Sequence, residues 1–365
     1  MKPFSTYPDQ YQQQLDNKVN IFKDQLTQLN HNMNVDHIAV YNSPHCYYRM
    51  RAEFKVWHTG NTSHYAMYDK NKKEPVFLEK FPVAAQSINQ LMPLVMAEIT
   101  QHEMLRKKLF QIEFLTTQTN DTLVSLIYHK SLNEQWVHTI SPIKDKLGIN
   151  IIGRSRKQKM ILDRDFVNEE LTVNGKIFYY QQNEGSFTQP NAKVCEKMLA
   201  WAVNNSKNNH GDLLELYCGN GNFTLPLSQN FNRVIATEVS KSSVHSAQKN
   251  IQKNNIDNVS ILRMSSEDFS LAIDKIRPFR RLKEYDLESY HFSTVFVDPP
   301  RAGLDDGTIE MIKRFENIIY ISCNPKTLIN NLDSLCRTHN IEALAAFDQF
   351  PYTEHLEAGV ILKKK

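Results

Sequence analysis

Three short stretches of the chain combine residue types that can do chemistry together. In ISCNP, Cys323 follows the apolar run IIYI and precedes Asn324-Pro325, so its thiol should project from a strand end into a crevice rather than fill a core. In VFVDPPR, Asp298 ends a second apolar run, and Pro299 and Pro300 stiffen the loop and remove two N–H donors. A plainer reading has Pro-Pro end the strand and Asp298 cap the next element. In LLELYCGNGNF, Gly219 and Gly221 allow a tight turn whose backbone N–H groups can approach a ligand. Glu238 ends VIATE, 19 residues after Gly219, where a carboxylate can accept hydrogen bonds from both hydroxyls of a ribose. Turn and carboxylate together point to a nucleoside cofactor. They do not separate a nicotinamide dinucleotide from S-adenosylmethionine. Thr224 stands where a full GxGxxG pattern would have its third glycine, which the second cofactor tolerates better.

Such residues must sit at the ends of parallel strands, and the second half of the chain supplies them. FTQPN opens a helix with Val194, Met198, Trp201 and Ala202 on one face; LLELY, RVIATE, VSILRM, TVFVDPP and IIYISCN then read as strands with helices between them. That alternation predicts an α/β fold with a doubly wound, mostly parallel, Rossmann-like sheet. The last segment, LAAFDQFPYTEHLEAGVILKK, reads as two strands joined by a loop, a terminal hairpin unlike a plain dinucleotide-binding domain. The front half has another texture. Residues 1–35 read as a polar amphipathic helix with Tyr11, Leu15, Val19, Phe22 and Leu26 on its stripe. Strands from about residue 37 to 80, helices over QSINQLMPLVMAEITQHEMLRKKL and SLNEQWVHTISPIKDKLG, a hairpin around Asn120 and Asp121, and strands near residues 150, 160 and 178 complete an α+β pattern. The expected division is one domain over residues 1–180 and a second over 181–365.

A thiol and a carboxylate facing one crevice suit methylation of a pyrimidine carbon. Uracil C5 is a poor nucleophile. Adding a thiolate to C6 turns C5 into an enolate carbon that can attack the methyl group of a sulfonium, after which a general base must remove the C5 proton so that the thiolate can leave. Cys323 suits the first role. Glu357, in EHLEAG, suits the second, with Glu354 and His355 as neighbours that could substitute. Cys46, Cys195 and Cys336 read as small buried hydrophobes, and Cys218 lies in the cofactor turn. An electropositive site would depress the Cys323 pKa. Two other enzyme readings fit parts of the pattern: an amino-methyltransferase acting on an exocyclic amine, which needs no thiol, and a nicotinamide dehydrogenase.

In their order along the chain, FTQPN, LLELYCGNGNF, ATE, VFVDPPR, ISCNP and EHLEAG resemble the motifs of the RNA (uracil-5-)-methyltransferases, from about residue 185 to the end. SPHCYYRMRAEFKVWH, KLFQIEFLTT and DQFPYTEHLEAGV are similar to the tRNA-acting branch of that family. The resemblance implies a Rossmann-like class I methyltransferase domain preceded by an α+β RNA-binding domain. It implies S-adenosyl-L-methionine as cofactor and methylation of a uridine at C5 in the T-loop of tRNA, with T-loop-like tmRNA as a further substrate. Cys323 would be the nucleophile and Glu357 the proton acceptor. Gln189, Tyr217, Gly219, Asn222, Glu238 and Asp298 would bind the cofactor, and Arg301 would hold the target base. A target in the T-arm must be flipped from its stack for Cys323 to reach C6. The chain has neither the cysteine cluster nor the added N-terminal barrel of many ribosomal relatives. Ribosomal-RNA uracil methylation, and an RNA-chaperone role beside methylation, stay open as alternatives.

For RNA contact, Tyr47, Tyr48, Arg49, Arg51 and Lys55 interleave rings with cations, so that bases can stack and phosphates can pair. Arg49, Arg51 and Lys55 would share one strand face; a solvated edge strand has the same pattern. Phe110, just after Arg106, Lys107 and Lys108, could stack on a loop base or pack at a helix end, and RSRKQK at 154–159 could track a nucleic-acid backbone or form a solvated turn. Residues 1–180 carry 22 Lys/Arg against 18 Asp/Glu and the remainder 21 against 22, so the net charge of +3 is concentrated in front. A composition 41% hydrophobic and 23% charged is that of a globular protein rather than a disordered one. The five cysteines form no CxxC pair, so neither metal nor iron–sulfur cluster is expected. There is no secretory leader pattern and no bilayer-length apolar run. The expected location is therefore the cytoplasm, the expected membrane partner none, and the expected state a monomer.

Overall fold

The computed structural model describes residues 5–29, 37–69 and 73–365. In chain order the elements are α1 (Tyr11–Thr27), β1 (Ile38–Tyr41), β2 (Arg51–Thr59), β3 (Thr62–Asp69), β4 (Glu74–Leu78), α2 (Gln86–Gln101), α3 (Glu103–Arg106), β5 (Leu109–Leu115), β6 (Leu123–Tyr128) and α4 (Glu134–Leu147). Next come β7 (Asn150–Ser155), β8 (Gln158–Ile161), β9 (Phe166–Val173), β10 (Lys176–Asn183), α5 (Ala192–Ser206), β11 (Asp212–Leu216), α6 (Thr224–Leu227), β12 (Val234–Glu238), α7 (Lys241–Lys253) and β13 (Val259–Arg263). The chain closes with α8 (Ser266–Ile273), β14 (Phe292–Val297), α9 (Asp306–Ile312), β15 (Asn317–Ser322), α10 (Pro325–Leu335), β16 (His339–Phe347) and β17 (Glu357–Lys364).

Two compact units result. The first holds residues 5–8, 44–69, 73–170 and 182–192; the second holds 9–29, 37–43, 171–181 and 193–365. In the first, a seven-stranded sheet has the order β4-β3-β2-β5-β6-β7-β8. Only β6 and β7 pair in parallel, with α4 as their crossover. Asn133 caps α4 by accepting from Trp136 N at 3.1 Å, and Gly148 ends it at φ +64°. One sheet face packs Phe54, Ile112, Phe114 and Leu126 against helix residues such as Met92, Trp136 and Ile140. The alternate positions of β2 carry Arg51, Glu53, Lys55 and Trp57 away from that core.

The second unit is built on an eight-stranded sheet of order β1-β16-β17-β15-β14-β11-β12-β13. β11 to β15 are mutually parallel where they pair, and β17 runs antiparallel between β15 and β16. Strand order reverses between β11 and β14, which opens a crevice beyond their carboxyl ends. β11 is buried along its whole length and β14 and β15 along all but their first residues, as central parallel strands require. Short polar caps start the helices that succeed these strands. Ser240, Ser265, Asp305 and Asn324 each accept a backbone N–H at the entrance to α7, α8, α9 and α10.

The single cut expected at residue 180 is corrected in two places. α1 and β1 belong to the second unit, while residues 182–192 belong to the first. The apolar stripe of α1 is as expected, with Tyr11, Leu15, Val19, Phe22 and Leu26 all buried, but it joins the core that also holds Leu328, Leu332 and Val360. The rest of the helix expected over residues 1–35 falls partly outside the described residues, and α1 itself stops at Thr27. β1 pairs in parallel with β16 and lengthens the sheet at that edge. An amphipathic pattern tells a helix to bury one face, and the partner is chosen by shape and register far along the chain. Because Phe22 is 1% exposed, Phe22→Ala should destabilise the protein by about 3–5 kcal/mol, read as a lowered urea midpoint.

Candidate active site

The second unit brings most of the expected site residues to one level. Leu216 pairs with Thr237 and with Val297, so Tyr217, Glu238 and Asp298 stand side by side where β11, β12 and β14 end. The turn beyond β11 is left-handed at Tyr217 (φ +62°) and Gly219 (φ +57°), a strained path for a tyrosine. The Tyr217 hydroxyl is held by Ser266 Oγ at 2.7 Å. Asn250 Nδ2 braces the turn by donating to Asn220 O at 2.9 Å, and the Tyr180 hydroxyl donates to Asn222 O at 3.0 Å. A Cβ placed on Gly219 would meet nothing within 4 Å, so the turn has open room above it. Glu238 presents its carboxylate beside that room and accepts from Gly219 N at 3.1 Å and Ser240 N at 2.7 Å. A left-handed glycine turn with free space, flanked by a fixed carboxylate, fits the ribose and amino-acid ends of S-adenosylmethionine.

Across the switch point, Cys323 and Glu357 meet through strand register. In the antiparallel β15–β17 ladder Ser322 lies opposite Ala358, so Cys323, just past the end of β15, and Glu357, at the start of β17, are near enough for the Glu357 carboxylate to act on the thiol. Gly359 pins this register: a Cβ there would come 2.8 Å from the Trp201 ring and 3.1 Å from the Phe347 ring. Of the three candidate bases only Glu357 is buried, at 3% exposed, and its Oε2 has no hydrogen-bond partner; Glu354 and His355 are exposed. The loop after Asp298 is stitched to the loop after Cys323. Asn324 caps α10, its Nδ2 donates to Arg301 O at 3.0 Å, and Arg301 itself is exposed. Cys336 is core beside Leu332 and Leu335, and Cys195 and Cys218 are buried. Cys46 departs from expectation, being half-exposed with its thiol 3.2 Å from Thr6 Oγ1.

The electrostatics give the direction of the thiol shift, which the sequence leaves open. Burial, then the Glu357 and Asp298 carboxylates, push the Cys323 thiol up to about 11, with Arg301 acting in the opposite direction. Two carboxylates outweigh one exposed guanidinium, so the site is not electropositive. Burial pushes Asp298 up to about 7. Burial, then Asp298, holds Glu357 well above the usual carboxylate range, with Arg301 opposing. A third acid, Glu215, escaped the sequence reading. It lies mid-strand in β11, is 1% exposed, has Oε2 without a hydrogen-bond partner, and is pushed by burial up to about 8. The signal was available as a glutamate inside the apolar run LLELY.

The residues expected to face RNA lie in the first unit and are not equivalent. Tyr48 is buried and cannot stack on a base. Arg49 and Arg51 are half-buried and engaged: Arg49 Nε donates to Arg51 O at 2.8 Å, and Arg51 Nη2 to Ser186 O at 3.0 Å. Lys55 and Phe110 form the exposed pair, with the ammonium 3.9 Å from the ring centroid and the ring 4.3 Å from that of His129. In the basic run, Arg154 and Lys159 are paired with Glu184 and Asp165, while Arg156 and Lys157 are exposed at the β7–β8 turn. Gln189 is half-buried in the segment 182–192, whose Pro190 O accepts from Met50 N at 2.8 Å. It belongs to the first unit and is not among the residues gathered at the strand ends of the second. Among the described residues no group of three His, Cys, Asp or Glu could hold a metal ion, and no helix is long and apolar enough to cross a membrane.

A parallel sheet with a glycine turn, a strand-end glutamate and an antiparallel terminal strand defines a class I, Rossmann-like methyltransferase. The same fold is seen in the tRNA (uracil-54, C5)-methyltransferase of Pyrococcus abyssi, solved with S-adenosyl-L-homocysteine, at a TM-score of 0.70 and 19% identity over 95% of this chain and 83% of that one. The chain belongs to the tRNA (uracil-5-)-methyltransferase family, whose profile matches residues 10–365. Two relatives named tRNA/tmRNA (uracil-C(5))-methyltransferase are 56% identical over 98% of both chains, in Saccharophagus degradans, and 55% identical over 91% of both, in Cellvibrio japonicus.

The raised thiol makes a direct test. Alkylation of Cys323 by iodoacetamide, read by peptide mass spectrometry, should accelerate about tenfold per pH unit up to the thiol's pKa. Glu357→Gln removes a negative charge that disfavours the thiolate and should move the profile to lower pH. A profile at the ordinary cysteine position, unmoved by that change, contradicts the electrostatic account.

Proposed function

We propose that this chain methylates a T-loop uridine of tRNA, and of tmRNA, at C5, with Cys323 as covalent nucleophile and Glu357 as the base that completes the reaction. The observation that supports the reading is that Cys323 follows β15 and Glu357 begins the antiparallel neighbour β17, with Asp298 acting on both, in a chain of this family. S-adenosylmethionine supplies an electrophilic methyl group on its sulfonium. Tyr217, Gly219, Asn222, Glu238 and Asp298 would hold it at the carboxyl ends of β11, β12 and β14, with Gln189 as a sixth candidate. Cys323 sulfur, as thiolate, bonds to C6 and the C5=C6 π pair moves to C5, which bonds to the methyl carbon as the methyl–sulfonium bond breaks and leaves its pair on that sulfur. Glu357 then accepts the C5 proton, the C–H pair restores C5=C6, and sulfur leaves with its own pair. Arg301, exposed on the loop tied to Cys323, can steady the flipped base. The raised thiol implies that deprotonation waits for ligands, because a sulfonium beside Asp298 and Glu357 offsets their charge.

Unmodified tRNA transcript with labelled S-adenosylmethionine tests the reading. Wild type should yield ribothymidine and Cys323→Ala none, while Glu357→Gln should leave an RNA adduct that survives a denaturing gel. Methylation without the thiol, or another product, removes the covalent mechanism and favours amine methylation. The exposed Lys55–Phe110 pair gives a second expectation. Phe110→Ala should weaken tRNA binding by about 1–3 kcal/mol, and Lys55→Ala should reduce the salt slope by about one, both read by filter binding across a salt series.

A further inference from the structure

Glu357 begins β17, and the loop before it is gripped by a helix from the other end of the chain. Asp348 and Gln349, which follow β16, are both 0% exposed. Lys18, on α1, donates from Nζ to Asp348 Oδ1 at 2.7 Å and to Phe350 O at 2.8 Å. One turn earlier, Gln14 donates from Nε2 to Asp348 Oδ2 at 3.0 Å and accepts from Tyr352 N at 3.2 Å through Oε1. Tyr11 meets Tyr352 edge-on, with centroids 6.1 Å apart, and Tyr352 is left-handed at φ +61°. Within the loop Thr353 Oγ1 donates to Phe350 O at 2.8 Å and accepts from His355 N at 3.2 Å, Leu356 is buried, and Gln349 Nε2 donates to Met198 Sδ at 3.3 Å.

Holding a lysine ammonium out of water is unfavourable unless something specific is gained. The Lys18–Asp348 pair has side chains 6% and 0% exposed, on a helix whose apolar stripe already suffices to dock it. Its geometry is spent on the backbone that leads to Glu357. We infer that Lys18 and Gln14 are positioning residues for the proton-abstraction step, holding the 349–356 loop so that the Glu357 carboxylate meets the C5 proton of the covalent intermediate. The inference rests on the proposed role of Glu357. Methyl transfer needs only Cys323 and the cofactor turn, so a displaced Glu357 leaves that step intact and slows the next.

The test uses the full chain, unmodified tRNA transcript and labelled S-adenosylmethionine under single-turnover conditions. Lys18→Met and Gln14→Ala should pass label into the covalent RNA adduct at nearly the wild-type rate, then release product about tenfold more slowly, so adduct accumulates on a denaturing gel. A transcript deuterated at uridine C5 should slow release further in both variants, and Lys18→Arg should move back toward wild type. Parallel loss of both steps with no isotope effect, in step with loss of folded protein by circular dichroism, would make the pair merely structural and overturn the inference. If Lys18→Met does not fold, Gln14→Ala decides, since it removes two loop contacts without stranding a charge. Glu357→Gln, run alongside, separates the two levels: without adduct from that variant the base assignment itself falls. Adduct from Glu357→Gln with wild-type partition in Gln14→Ala removes only the positioning role.

Discussion

A strand that runs against its neighbours brings its first residue, not its last, to the carboxyl edge of a parallel sheet. β17 does this between β15 and β16, and the catalytic end depends on it. Were β17 parallel, its amino end would lie at the opposite side of the sheet and Cys323 would have no carboxylate across from it. Register matters as much as direction, because a slip of one residue turns every side chain to the other face. Gly359 resists such a slip: only a residue without Cβ leaves space for the Trp201 and Phe347 rings, which cross at 78° and 5.7 Å.

The crevice so formed is lined by acids. Glu215, Asp298 and Glu357 are all raised by burial, although the substrate class is a polyanion. Burial that raises Glu215 and Asp298 lowers their share of negative charge, and with it their repulsion of a phosphate backbone. The cationic ligand is the natural complement to whatever negative charge the cluster does carry, so binding of one ligand changes the field felt by the other. The first unit presents cations and rings on an open sheet face instead, at Lys55 and Phe110.

Much of this was readable from residues alone. The alternation of strands and helices after residue 185, the glycine turn, Glu238, Asp298 and Cys323 are local patterns, and each stands at the expected strand end. Which of Glu354, His355 and Glu357 is buried was not local, since Glu357 alone of the three enters β17, where it pairs with Phe347 of β16. The direction of the thiol shift depends on which charges converge in space, and Glu357, Asp298 and Arg301 are far apart in sequence. Tyr48 looked like a stacking ring because alternation along a strand was extended past the point where β2 begins, at Arg51. The docking of α1 and β1 could not be read, because their stripes are apolar without being specific for a partner.

That docking bears on how the protein is made. In synthesis α1 and β1 precede the first unit, and the elements that cover them, α10, β16 and the 349–356 loop, follow it. In the interval the whole first unit is translated and has its own helices and sheet to close upon. The amino-terminal stripe of Tyr11, Leu15, Phe22 and Leu26 must therefore stay apolar, exposed and unpaired for most of a translation cycle. Its polar intervening residues, QQQ and DNK among them, keep that waiting segment in solution. The second unit is thus built from segments that flank the first in sequence.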